Sequence, residues 1–191
     1  MARNPERRTA LVDAAIDVLA LEGARGLTFR AVDAQAGVPA GTASNYFASR
    51  DDLLTQAGRH IHVRMTPDPA EVAEALRPGP SRALVTGLMR WLVERMEKER
   101  NGYLALLELR LEATRRPALR AELTEALQAV LDANIRFHLD SGMPGDAETV
   151  RLLYVSMTGL LIEHLTLPGL LGEDTTARLV DALVERIVPA E

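Results

Sequence analysis

The sequence predicts an all-α fold of two helical domains, and three observations carry that reading. Apolar residues recur at helical spacing in one segment after another. Ala, Leu and Glu are abundant while only 4% of residues are aromatic, a balance that favours helix over sheet. The chain has 191 residues, 47% of them hydrophobic, more than a minimal unit of about 60 residues can use, so a second core is expected.

The first helix is read in ERRTALVDAAIDVLALEG, where Val12, Ala15, Ile16 and Leu19 fall at i, i+3, i+4 and i+7 and Gly23 ends the run. A pair of short helices follows. Thr28 can N-cap the first of them, whose Phe29, Val32 and Ala36 share one face. Gly37 supplies the left-handed position that stops it, and Val38-Pro39 restarts the chain, because proline suits a first helical turn. The second helix is therefore placed at about Pro39 to Phe47. Its outward residues are small or polar: Ala40, Gly41, Thr42, Ser44, Asn45 and Tyr46. Such a surface lets a nucleic acid approach closely and offers hydrogen bonds to phosphate and base edges. Phe47 and Leu53 read as core. Ser49 then opens S-R-D-D, a capping box for a helix through roughly Met65.

On the stretch LTFRAVDAQAGVPAGTASNYFASRDDLL the chain resembles the TetR family of transcriptional regulators, sharing its Gly-Val turn, the Gly-Thr that opens the recognition helix, the aromatic pair, and a Ser-Arg followed by acids. The resemblance covers about the first 60 residues. It implies a three-helix helix-turn-helix DNA-binding domain over 1–48, a linking helix over 49–66, and a larger helical effector-binding and dimerisation domain over 67–191. Carried across, it makes Thr42 and Tyr46 phosphate contacts, Ser44 and Asn45 base-edge readers, and Arg30 and Arg50 further backbone contacts. Four positions depart from the pattern. Ala40 stands where Lys is frequent, Ala43-Ser44 where Leu-Tyr is frequent, and Asp33 where Ala is usual. Asp33 is expected to be held by Arg30 or to face solvent, an awkward place for an acid beside phosphate.

A net charge of −5 at first argues against a nucleic-acid partner, but it is unevenly spread. Residues 1–64 hold eight Arg and seven acids, so the excess of acid lies in the remainder. Arg3, Arg7 and Arg8 form a basic N-terminal arm that either reaches phosphates or a minor groove or is a solvated tail. Cysteine is absent, which excludes disulfides and thiolate zinc sites. No apolar signal core follows the N-terminal arginines, since Asp13 and Asp17 interrupt the helix. Leu152 to Leu171 is the most membrane-like stretch, yet Glu163, His164 and Pro168-Gly169 break it, and a buried interface helix explains it better. Cytoplasmic residence is expected.

Pro67-Asp68-Pro69 and Pro78-Gly79-Pro80 mark breaks, after which helices are read at Ser81 to about Glu99, Tyr103 to Arg116, Pro117 to about Leu139, Asp146 to Leu167 and Thr175 to Val188. The last two offer a dimer surface: Ser156 and Gly159 are small and three apart, and Leu160, Glu163, Leu179, Leu183 and Ile187 complete the candidate interface of a four-helix contact. A largely apolar effector would be lined by Met89, Trp91, Met96, Tyr103, Leu107, Phe137, Met157 and Leu161, with Arg110, Asn134 and His138 as polar anchors. Arg110 either holds a carboxylate or pairs with Glu108, Glu112 or a neighbouring helix.

Enzymatic readings fare badly. Glu108 and Glu112 share a face, but Arg115 and Arg116 are spaced to pair with Glu112, and no His stands at ligand spacing. His60 and His62 point to different sides of their helix. No metal or organic cofactor is implied. The resemblance instead implies a homodimeric DNA-binding regulator, a ligand-released repressor on a palindromic operator, with the helix from Ser49 to Met65 as lever. The alternative is a helical small-molecule-binding or protein-interaction module that has lost specific DNA binding, a reading prompted by Asp33, Ala40 and Ser44.

Overall fold

The protein is described by a computed structural model over residues 4–172 and 175–190. All regular elements among these residues are helices: α1 Pro5–Gly26, α2 Phe29–Gln35, α3 Thr42–Tyr46, α4 Arg50–Met65, α5 Pro69–Ala75, α6 Arg82–Lys98, α7 Arg100–Ala113, α8 Pro117–Asp140, α9 Ala147–Thr166 and α10 Thr175–Ile187. The five long helices read beyond residue 80 are present with ends shifted by three residues or fewer.

Local chemistry sets the boundaries. The Asn4 carboxamide accepts from the Glu6 and Arg7 amides at 2.9 and 3.4 Å, and Pro5 fills the first turn, so the chain is helical from residue 5. The basic arm is thereby corrected: Arg7 and Arg8 belong to α1, while Arg3 lies outside the described residues. Gly23, at φ 69°, breaks α1 where the sequence placed its end, and one further turn follows. Thr28 caps α2 as expected, accepting from the Ala31 amide at 3.1 Å. Ser49 accepts from the Asp52 amide at 3.1 Å, but the Asp52 carboxylate returns to Ala48 rather than Ser49, one residue outside the anticipated box.

Two elements differ from expectation. The recognition helix is Thr42–Tyr46 and not Pro39–Phe47, because Gly41 adopts φ 90° and a left-handed residue cannot continue a helix from Pro39. The segment after residue 66 is not merely a break. Asp68 accepts from the Ala70 amide at 2.7 Å and Pro69 takes the first turn, which starts α5.

Packing divides the chain into two compact units, Met1–Thr66 with Glu99–Ala126, and Pro67–Lys98 with Leu127–Glu191. The chain passes from the first unit to the second after Thr66, and α7 and the start of α8 pack with the N-terminal helices. In this first unit α1 packs against α2, α4 and α7. Its core holds Leu11, Ile16, Leu19, Val32, Leu53, Ile61 and Leu109, all fully buried, each contributing roughly 1.5–3 kcal/mol of transfer free energy.

The second unit is built on α6, α9 and α10 around Leu84, Val85, Met143, Leu153, Val184 and Val188. Polar bonds tie the same helices. Arg90 of α6 donates twice to Asp181 of α10, at 2.9 and 2.5 Å. His164 of α9 meets Glu97 of α6 at 2.6 Å through Nε2 and Thr176 of α10 at 3.0 Å through Nδ1. Asp146 and Thr149 form the capping box of α9. No helix among the described residues is long and apolar enough to cross a membrane. The stretch read as a buried interface helix nonetheless leaves Leu152 48% and Val155 67% exposed.

Candidate nucleic-acid interface

The surface proposed from sequence is built on α3, which presents Ala40, Gly41, Ser44 and Asn45 exposed and Thr42 and Tyr46 half-buried. A helix of five residues cannot stand on its own propensity, since nucleation is costly and few bonds follow it. It is held from outside. Val32 of α2 and Ala43 and Phe47 bury beside α1, fixing the inner face, while Tyr46 packs partly against the same core. Phe47 and Leu53 are core, as read.

Within α3 the polar groups are already engaged. The Thr42 hydroxyl donates to the Pro39 carbonyl at 2.5 Å. The Ser44 hydroxyl and the Asn45 amide both donate to the Gly41 carbonyl, at 2.8 and 3.0 Å. These are local bonds on an exposed surface, where water or a nucleic acid competes for the same donors. Asn45 is exposed, and its carboxamide oxygen is an acceptor that the bond to Gly41 does not use.

Asp33 corrects the sequence reading. It neither pairs with Arg30 nor faces solvent: it is 2% exposed, and its carboxylate accepts from the Gly41 amide and the Ala43 amide, each at 2.7 Å. The negative charge lies under the start of α3 and not on its exposed side. Arg50 is likewise engaged inward. Its guanidinium donates to the Leu27 carbonyl at 3.0 Å and to the Ala24 carbonyl, so it ties α4 to the α1–α2 junction. Arg30 is exposed. Arg8 was read only as part of a basic arm. It donates to the Tyr46 carbonyl at 3.2 Å and to Gln56 at 2.9 Å, and its guanidinium sits 5.3 Å from the centre of the Phe47 ring.

In the same unit, α7 touches the kinked end of α1. Glu108 accepts from the Ala24 amide, freed at the Gly23 break, at 3.1 Å. Glu112 is paired as expected, with Arg115 at 3.0 Å and Arg116 at 2.9 Å, and the hydrogen bond from Arg116 holds its carboxyl below the usual range. His60 and His62 do diverge. His60 Nε2 meets Asp13 at 3.1 Å, whereas His62 Nε2 is buried without a hydrogen-bond partner and burial lowers its pKa. Arg64 lies between α1 and α7, 3.7 Å from Asp13 and Asp17 and 3.2 Å from Glu99.

The candidate effector residues fall in both units. Tyr103, Leu107 and Arg110 lie on α7 of the first. Met89, Trp91, Met96, Asn134, Phe137, His138, Met157 and Leu161 lie in the second. Met96, Met157 and Leu161 are buried there, His138 bonds the Pro144 carbonyl at 3.0 Å, and Asn134 and Phe137 are exposed. A pocket of about 150 Å³ in the second unit is lined by Glu163, His164, Leu167, Leu171 and Thr176 among others, and by none of these eight.

Of the candidate dimer residues, Gly159 is exposed and Ser156 and Glu163 are half-buried along one side of α9. Leu160 turns inward at 7% exposure and is corrected to a core position, because it lies on the face that α9 buries in its own unit. Leu179, Leu183 and Ile187 are half-buried on α10. Leu152 and Val155, not read as interface residues from sequence, extend the α9 surface; Leu152 stands seven residues before Gly159 and four before Ser156, Val155 stands four before Gly159, and that helical spacing is the signal that marks them.

Comparison with known proteins agrees with this geometry. Residues 11–57 match the model for bacterial regulatory proteins of the tetR family, and residues 80–190 match that for the tetracyclin repressor-like C-terminal domain. The multidrug binding protein EbrR complexed with imidazole is 30% identical over 98% of each chain, with a TM-score of 0.69. Its complex with ethidium is 31% identical over 96% of this chain and 99% of that one, at 0.68. A TetR-family member from Streptomyces coelicolor A3 is 32% identical over 97% and 99%, at 0.67. A search of curated proteins found no match. With a helix-turn-helix positioned by buried packing, and with both halves matching, the chain belongs to the TetR family of transcriptional regulators.

Proposed function

We propose that the protein is a repressor that binds a palindromic operator as a homodimer and is released by an apolar small molecule. The observation that carries the DNA-binding part is α3, a short helix held on a buried core with Ser44 and Asn45 exposed. Thr42, Tyr46 and Arg30 supply phosphate contacts, Asn45 and Ser44 read base edges, and the small Ala40 and Gly41 allow close approach. Arg50, committed to two internal carbonyls, supports the fold of this surface. Asp33 no longer speaks for a lost DNA-binding function, since its charge is buried. The protein acts in the cytoplasm, where its operator is.

Two copies meet through the α9 surface of Leu152, Val155, Ser156, Gly159 and Glu163 with Leu179, Leu183 and Ile187 of α10, and a palindromic operator presents its half-sites to two recognition helices about 34–36 Å apart. Release follows a population shift, in which the effector favours a conformation whose recognition helices no longer match successive major grooves. Tyr103, Leu107 and Arg110 are the supporting residues here. They stand on α7, whose Glu108 bonds the end of α1, so a ligand that displaces α7 acts on the DNA-binding unit directly. A largely apolar effector is supported by the candidate residues, and an aromatic ring system in it by the likeness to EbrR, which has been solved with the aromatic dyes ethidium and malachite green.

The test begins with selection of duplexes from a random-sequence pool by the intact chain, followed by fluorescence anisotropy against salt. Selected duplexes should bind at least about 10³-fold more tightly than random ones. Malachite green should bind the protein alone in calorimetry and then release the labelled duplex. Equal affinity for selected and random DNA would overturn the proposal.

A further inference from the structure

We infer that Asp33 and Arg8 are positioning residues that clamp the recognition helix at its two ends, one buried anion at its start and one cation at its finish, and that sequence-specific reading depends on this clamp. The inference rests on the DNA-binding reading and says which residues outside the contact surface determine its selectivity.

Helix α3 has a structural deficit at both ends. Its N-cap, Gly41, has no side chain to satisfy the first amides. Asp33, eight residues earlier on α2, fills that role with both carboxylate oxygens, Oδ2 to the Gly41 amide and Oδ1 to the Ala43 amide. At the other end Arg8 of α1 donates to the Tyr46 carbonyl, one of those left without an intrahelical partner. Arg8 is itself fixed: Gln56 accepts from its Nε, Asp52 accepts from Gln56 at 2.6 Å, and the same Asp52 carboxylate accepts from the Ala48 amide at 2.9 Å. The Phe47 ring lies beneath the guanidinium.

The signs match the helix dipole, which presents partial positive charge at the start and partial negative charge at the end. Both groups come from other helices, so they fix where α3 sits as well as whether it forms. That matters for reading bases. A side chain such as Asn45 recognises a base edge only when held within about half an ångström of the productive position, whereas attraction to phosphates tolerates looser placement. Loosening either end should therefore cost specific binding more than nonspecific binding.

Two variants and one wild-type measurement test this. Asp33→Asn keeps the shape but has one acceptor oxygen and turns an N–H toward an N–H, so one of the two cap bonds is lost. Arg8→Met keeps an apolar stem over Phe47 and deletes the donors. Each variant, at a temperature where circular dichroism shows it folded, should bind a duplex selected by the wild-type chain about tenfold or more weakly, with affinity for a random duplex within about threefold of wild type. Unchanged selectivity in both variants would overturn the clamp, and so would equal losses on both duplexes, since a phosphate contact or a general loss of fold acts on both alike. Amide exchange in the wild-type protein without DNA keeps the test alive if a variant fails to fold: the Gly41 and Ala43 amides should be protected, and free exchange at both would overturn the assignment. Should the wild type select no duplex, the DNA-binding reading fails while the exchange measurement still decides the clamp.

Discussion

Asn45 illustrates what the exposed side chains of α3 give up on binding. Its amide already donates to the Gly41 carbonyl, so contact with a base exchanges a solvent-exposed local bond for an intermolecular one, and the net gain comes from the geometry of the new pair. A bidentate contact of this kind to adenine is worth about 1–3 kcal/mol of discrimination. Asn45→Ala should lose that amount on the selected duplex and little on random DNA, measured by anisotropy at fixed salt. His62 makes a different prediction. Burial lowers its pKa from 6.5 and its Nε2 lacks a partner, so the folded protein prefers the neutral ring. The unfolded chain then binds the proton more readily, and stability is full above pH 6.5 and falls as pH drops below it through the lowered folded value. In urea titrations between pH 7.5 and about 5, His62→Gln should show a shallower fall than wild type; an identical pH slope would exclude His62 as a contributor.

At the scale of elements, α7 has the clearest consequence. It is distant in sequence from α1 yet packs on it, and Leu109 is fully buried in the core that positions α3. Leu109→Ala should destabilise by about 2–5 kcal/mol, seen in a denaturant melt, and should weaken DNA binding although no DNA contact is altered. What the sequence made legible here follows from the range of the forces involved. Helical period, Thr28 and the glycines are local signals, and they located nine of the ten helices among the described residues. Helix α5 was missed because Pro67-Asp68-Pro69 reads as a break, although an Asp followed by Pro is equally a helix start. Residues Pro39 and Ala40 were drawn into α3 because proline suits a first turn; the left-handed Gly41 decides otherwise. Asp33 and Arg50 were misread for a common reason. Their partners are backbone groups brought close only by packing, and no spacing rule encodes them, although an acid beside Val32 on the inward side of α2 was a usable hint.

For the whole molecule, the proposed interface on α9 has an unusual probe. A side chain built at Gly159 meets nothing within 4 Å of its Cβ, so Gly159→Leu costs no overpacking inside one protomer and gains about 1 kcal/mol of helix propensity. Between two copies the same leucine would hold the helices apart. The variant should therefore melt no lower than wild type at concentrations where both are monomeric, while dissociating more readily in sedimentation equilibrium. A lower melting point with unchanged association would place the residue in a protomer core instead. Loss of the dimer should also remove selectivity, because one short recognition helix reads too few base pairs.

The pairing of two recognition helices on one operator is the claim on which the functional account depends, and stoichiometry tests it most directly. Sedimentation equilibrium of the wild-type chain with a fluorescent selected duplex, at a salt concentration that suppresses random binding, should give two protomers per duplex, and the selected sequence should carry two half-sites about one helical turn, 34–36 Å, or a multiple of it apart. One protomer bound per duplex with selectivity intact would contradict it.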